Sequence, residues 1–295
     1  MNEGIRARQS LAILREICAV AGFDATGAEP IRLGENDLWR LPEHIVVRIS
    51  RAEQSAAAER EVAVTRWLAD HAVPAVRPLA IEQPLHAQGR PATFWEELPR
   101  HHPGTETDLA PLLRQLHDLP QPDFPIGQLN PLIRVKDRIV TATTITEQDR
   151  TWLLSHFEAL RHDWETLPTG LPHSVVHGDA WGGNCAITVD GAVLMDFERT
   201  SLGPPEWDLT STAIRSDTFG TLSHEDYQQF CDAYGHDVTT WPGYPTLRTL
   251  RELRALTFAL QTATDNPAAI PEAHHRLSCV QGRAGPRPWV WTSVA

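Results

Sequence analysis

Between residues 6 and 20 the apolar positions Leu11, Leu14, Ile17 and Cys18 recur at helical spacing, and Ala21-Gly22 ends the run, which predicts a first amphipathic helix. The pattern then shortens. Residues 31–33 and 38–41 flank the turn Gly34-Glu35-Asn36-Asp37, and after Pro42 the run 44–49 reads as another strand, so hairpin connections are expected. Helical spacing returns over 53–70 through Ala57, Glu61, Val64 and Leu68; Pro74 and Pro78 then impose extended backbone, and 92–96 reads as a last strand. Pro99, His101, His102, Pro103 and Gly104 follow in quick succession, marking a boundary between a strand-rich lobe (1–97) and a second lobe (98–295). The second is mostly helical, with helices predicted over 109–119, 146–167, 205–215, 224–234, 246–263 and 267–281, and one short β segment over 174–197. The proline-rich stretch 120–131 reads as a stiff loop.

Composition narrows the class. The 41% hydrophobic and 22% charged residues are those of a globular chain, and the net charge of −12 argues against nucleic acid or an anionic membrane surface as partner, since both require clustered positive charge. Most of the acidic excess lies beyond residue 97, which is consistent with a cationic ligand and equally with solvated helix faces. Cys18, Cys185, Cys231 and Cys279 are scattered without C-x-x-C spacing, and residues 1–10 fit neither a signal peptide nor a membrane span, so a reducing cytoplasm is expected. The basic set holds one lysine, Lys136, against 25 arginines.

The chemistry concentrates in Val175-Val176-His177-Gly178-Asp179-Ala180-Trp181-Gly182-Gly183-Asn184 and the following Val193-Leu194-Met195-Asp196-Phe197-Glu198. An apolar strand delivers His177, a loop presents Asp179 and Asn184 five positions apart, and a second strand ends at Asp196. Phosphoryl transfer needs such a set: a carboxylate to orient and deprotonate an attacking hydroxyl, and oxygen ligands for magnesium. Asp179 suits the first role, Asn184 and Asp196 the second.

H-G-D-x-x-x-x-N, a strand ending D-F-E, and Gly203-Pro204-Pro205-Glu206-Trp207-Asp208-Leu209 opening a helix together resemble the aminoglycoside (antibiotic) phosphotransferase family of the protein-kinase-like superfamily. The resemblance implies an α+β bilobal fold, with a small antiparallel-sheet N-terminal lobe and a larger, mainly helical C-terminal lobe. It also implies a Mg2+-dependent enzyme transferring a phosphoryl group from ATP or GTP to a hydroxyl of a small molecule. The implied acceptor is an antibiotic such as an aminoglycoside, macrolide or basic peptide, and the chain would act as a monomer or homodimer. Carried over, Asp179 would be the catalytic base, His177 a loop organiser, Asn184 and Asp196 the metal ligands, and Asp208 a buried aspartate steadying the loop. Asn36 would belong to the turn covering the phosphates, and backbone groups of Glu96, Glu97 and Leu98 would bind the purine.

The sequence departs from the kinase pattern at three points. With no lysine before position 136, Arg48 stands where the phosphate-holding lysine is expected, paired with Glu61 or, one helical face away, Glu59. Glu198 replaces the glycine of D-F-G, a residue that resists positive φ. The 34–36 turn has one glycine where kinases have three. Two rival readings follow: a metabolic kinase acting on an amino alcohol, homoserine or a sugar, and a nucleotide-binding pseudokinase scaffold. His101-His102 and His274-His275 lack companion ligands at metal spacing and read as surface histidines. Trp181 either packs beneath the loop or borders the acceptor pocket.

Overall fold

The computed structural model describes residues 3–294. In chain order, α1 (Glu3–Ala21) is followed by β1 (Glu29–Arg32), β2 (Asp37–Leu41), β3 (Ile45–Ile49), α2 (Ser55–Asp70), β4 (Leu85–Ala87), β5 (Arg90–Glu96), β6 (His102–Pro103) and α3 (Glu106–His117). Then come α4 (Val135–Thr141), α5 (Glu147–Glu165), β7 (Ser174–Val176), β8 (Cys185–Thr188), β9 (Gly191–Leu194) and β10 (Ser201–Gly203). The chain continues with α6 (Glu206–Asp217), α7 (His224–Tyr234), α8 (Tyr244–Asp265) and α9 (Ile270–Val280). The architecture is the α+β one expected. Two compact units are formed, one from residues 1–127 with 177–201, the other from 128–176 with 202–295.

The first unit is organised by an antiparallel sheet in the order β1-β2-β3-β5-β4. In β3 the buried residues alternate, and Ile45, Val47 and Ile49 share a core with Leu14, Ile17 and Cys18 of α1 and with Trp39, Leu41 and Phe94. Pleating therefore turns Val46 and Arg48 to the opposite face, opposite Arg40 and Leu38 of β2 respectively. α2 buries a stripe that includes Ala58, Val62, Val64, Trp67 and Leu68, with Glu61 in the same stripe. The loop-bearing segment joins this unit through β8 and β9, which pair with each other and with β6, while Val76 N–H donates to the Leu194 carbonyl (3.0 Å).

The second unit is helical around α8, which buries ten residues, among them Leu247, Leu250, Leu253, Leu256 and Leu260. Glu252, also on α8 and 1% exposed, accepts Arg287 Nε and Nη2 (2.8 and 2.7 Å) and the Thr218 hydroxyl (2.9 Å), tying the C-terminal segment to α6 and α8. Glu252→Ala is expected to lower folding stability by about 2 kcal/mol, since it strands a bidentate arginine and a buried hydroxyl; a urea midpoint equal to that of the wild type would exclude this. Among the described residues no helix is long and apolar enough to cross a membrane.

Several elements differ from the periodicity. α3 starts three residues before the expected position because Thr105 caps it: its hydroxyl accepts Asp108 N–H (3.2 Å), while Asp108 Oδ2 accepts Thr105 N–H (2.8 Å). β4, β6 and α4 carried no readable signal. Each is short, and α4 buries only Val135 and Ile139.

Candidate active site

Arg48 is the hub of a charged cluster built on the inner faces of β3 and α2. Its side chain is 13% exposed, and Nη1 donates to both oxygens of Glu61 at 2.9 Å. Glu61 is thus the helix partner, rather than Glu59. Nη2 donates to Glu198 Oε2 (2.5 Å), and Asp196 Oδ1 lies 3.6 Å from Nη1. Asn36, oriented so that both ends of its amide are satisfied, accepts Arg48 Nη2 (2.7 Å) and Nε (3.2 Å) through its oxygen and donates to Gln54 Oε1 (2.9 Å). The Asn36 side chain thus faces Arg48 and Gln54, and the turn it belongs to is held by Asp37, which pairs with Arg90 (3.0 Å) and accepts Gly34 N–H (3.3 Å).

The electrostatics follow from this crowding. Burial pushes the Glu61 carboxyl up to about 7, against the attraction of Arg48, with the charges of Asp196 and Glu198 adding to the rise and the Phe197 N–H opposing it. Burial would lower Arg48, but Glu61, Asp196 and Glu198 outweigh it and raise its pKa, so the guanidinium stays charged.

The D-F-E segment is anchored to α2. Phe197 N–H donates to Glu61 Oε1 (3.3 Å), and Arg60 Nη2 donates to the Glu198 carbonyl (2.7 Å). Glu198, a residue that takes positive φ only at a cost, does not adopt it; the left-handed residue of this segment is Asp196, at φ 64°. Asp196 Oδ1 is buried without a hydrogen-bond donor.

His177 is fully buried, with its ring 5.1 Å from that of Phe197. Its Nε2 donates to the Met195 carbonyl (2.9 Å), leaving Nδ1 to accept Asp179 N–H (3.4 Å). Asn184 Nδ2 donates to the Asp179 carbonyl (2.8 Å), and Met195 N–H donates to the Asn184 carbonyl (2.9 Å). These bonds bring Asp179, Asn184 and Asp196 into one short stretch of connected backbone. The Asp179 side chain is 41% exposed, with Arg199 Nε 3.8 Å from Oδ2. Trp181 is 50% exposed, with its indole ring lying against Gly183 of the loop, where an added Cβ would meet it at 2.1 Å.

Gly178 makes this placement possible: it sits at φ 84°, and a Cβ there would lie 2.4 Å from the Arg199 carbonyl oxygen. Gly178→Ala is expected to shift Asp179 and lower kcat roughly 100-fold, whereas a kcat near wild type would mean the loop tolerates the displacement.

At the end of β5 the peptide groups are only partly free. Glu96 N–H donates to the Arg77 carbonyl and Glu97 N–H to the His44 carbonyl, both at 2.9 Å. Leu98 N–H has no partner among the described residues. The Glu97 carboxylate is bound by Arg40 Nε and by His44 Nδ1 (3.1 Å), which hold its pKa low against a raising effect of burial. A cavity of about 570 Å³ borders this segment, lined by Arg40, His44, Glu97, Leu98 and Arg100 among others. A larger one, about 740 Å³, borders the other side of the same segment: Glu96, Glu97 and Leu98 line it together with Ala75, Arg77 and Val193, and neither cavity is lined by Arg48, Asp179, Asn184 or Asp196.

Glu198, Arg60 and Arg199 were not anticipated as site residues. Glu198 was visible only as a missing glycine, and Arg60 and Arg199 only as neighbours of Glu61 and of D-F-E in the sequence.

Comparison with known proteins agrees with this architecture. Among solved structures, a choline/ethanolamine kinase family protein from Mesorhizobium loti superposes with a TM-score of 0.65 at 17% identity, covering 94% of this chain and 95% of its own. An amicoumacin kinase solved with AMP-PNP and Ca2+ gives 0.69 at 13%, covering 98% of each chain. A spectinomycin phosphotransferase solved with ADP and spectinomycin gives 0.65 at 13%, covering 90% and 93%. These likenesses establish the kinase-like fold. No curated protein sequence matches the chain significantly. The model of the phosphotransferase enzyme family (APH) matches residues 28–253, well over half the chain, and the protein belongs to that family of small-molecule kinases.

Proposed function

We propose that the protein transfers the γ-phosphoryl group of ATP or GTP, with Mg2+, to a hydroxyl of a small molecule, with an antibiotic such as an aminoglycoside, macrolide or basic peptide as the leading acceptor. The observation that carries this reading is the convergence, within one compact unit, of a half-buried Asp179, of Asn184 bound to its carbonyl and to the Met195 N–H next to Asp196, and of the Arg48–Glu61 ion pair.

The donor set suits a hard divalent cation. Asp196 Oδ1 is a buried carboxylate oxygen without a donor, and the Asn184 amide nitrogen is occupied by the Asp179 carbonyl. Among the described residues no group of three or more His, Cys, Asp or Glu could hold a metal, so an ion at Asn184 and Asp196 would complete its shell with nucleotide oxygens and water. When bound, such an ion neutralises charge developing on the phosphates. In this reading Asp179 accepts the acceptor hydroxyl's proton, and His177 fixes the loop that presents it. Arg48, held by Glu61, faces the phosphates. The free Leu98 N–H and neighbouring carbonyls read the purine edge, so the N-terminal lobe ends at a hinge near residue 97. A reducing cytoplasm belongs to the same reading, supported by four buried, unpaired cysteines.

A second reading, a kinase of amino-alcohol metabolites, is favoured by the likeness to the choline/ethanolamine kinase family protein. Product mass spectrometry on a panel of cationic antibiotics and amino alcohols decides between them. Phosphorylation confined to the antibiotics supports the first; phosphorylation confined to amino alcohols replaces it.

A further inference from the structure

The guanidinium of Arg48 is saturated. Glu61, Glu198 and Asn36 between them occupy all three of its nitrogens, and three carboxylates surround its single positive charge. A phosphate can reach Arg48 only if one of these partners leaves. Glu61 is 5% exposed and also receives Phe197 N–H, and Asn36 is buried and held by Gln54. The Glu198 side chain is 27% exposed, and Arg48 is its one partner among the described residues. Its main chain is separately fastened by Arg60 through the carbonyl, so the carboxylate can swing out while the D-F-E backbone stays fixed.

We propose that the Glu198 carboxylate occupies the phosphate position on Arg48 Nη2 and is exchanged for a nucleotide phosphate on binding, making Glu198 a positioning residue that sets nucleotide affinity. This inference rests on the proposed nucleotide-dependent function. Before the exchange Glu198 keeps Arg48 aligned by a charge-assisted hydrogen bond; during it, an anion of the protein is traded for an anion of the ligand. Removing that anion therefore strengthens binding of phosphate-bearing ligands, the opposite of what losing an ordinary site residue does.

The test is calorimetric titration of wild type, Glu198→Gln and Glu198→Asp with ATP, with and without Mg2+, and with adenosine as a phosphate-free control. Glu198→Gln is expected to bind metal-free ATP roughly tenfold more tightly, a size set by one hydrogen bond to a charged group. Glu198→Asp stays near wild type, and adenosine affinity is the same in all three. Glu198→Ala carries the same expectation should the glutamine variant fail to give a cooperative melt. Metal-free ATP affinity unchanged or weakened in the folded variants, or an equal gain for adenosine, overturns the exchange while leaving the function intact. A wild type that binds Mg-ATP not at all overturns both.

Discussion

Asp179→Ala is expected to lower kcat by at least about 10³-fold while leaving the affinity for nucleotide within a few-fold of wild type. General-base removal costs about 10²–10⁴-fold in positioned systems, and in the proposed function this carboxylate would also orient the attacking oxygen. Stability should be nearly untouched, because the side chain is 41% exposed and its nearest charged neighbour, Arg199, is 3.8 Å away and half exposed. The backbone bonds that hold the loop run through the Asp179 N–H and carbonyl, both of which alanine keeps. Asp179→Asn, which preserves shape but cannot take a proton, is expected to behave like the alanine variant. Steady-state kinetics and a thermal melt check this together: a large fall in kcat at unchanged Tm is the signature, and a parallel fall in both would point to a structural role.

Arg48→Ala is expected to have the second-largest effect, and of a different kind. It strips a buried cation from among Glu61, Asp196 and Glu198, leaving Glu61, 5% exposed, without its counter-charge. Removing one partner of a buried pair costs about 3–5 kcal/mol, part of which Glu61 recovers by binding a proton, since burial already raises its pKa to about 7. Both KM for nucleotide and kcat are expected to change, each by more than about tenfold. Arg48→Lys retains the charge but loses the fork that spans Glu61, Glu198 and Asn36 at once, and an intermediate phenotype is expected. Measured nucleotide affinity and turnover equal to wild type in Arg48→Ala would remove this residue from the phosphate site.

Much of the loop was legible because its chemistry is local. His177, Asp179 and Asn184 lie within eight positions, and a polar turn between two apolar runs already requires the chain to present them together. Arg48 was legible for a compositional reason: a single lysine at position 136 left no other residue for its place on β3. What could not be read is the partnership across the chain. Glu198 stands 150 residues from Arg48, and nothing in the spacing of either implies that they touch. Asn36 reads as a turn residue, yet its amide is spent on Arg48 and Gln54, a consequence of how β2 and β3 pair. Strand spacing reaches the end of β5, but which N–H groups remain open there depends on Arg77 and His44, whose carbonyls take those of Glu96 and Glu97. Short elements such as β4 and α4 escaped because one or two buried positions carry no period.

The most direct test of the account is an ADP-release assay on the purified protein with Mg-ATP and Mg-GTP, run with and without each member of a panel of hydroxylated antibiotics and metabolites, with Asp179→Ala as the blank. The account predicts release that depends on one class of acceptor, yields a phosphorylated product and is lost in the blank. Nucleotide binding without acceptor-dependent release from any panel member, or equal release by Asp179→Ala, would contradict it and favour the scaffold reading.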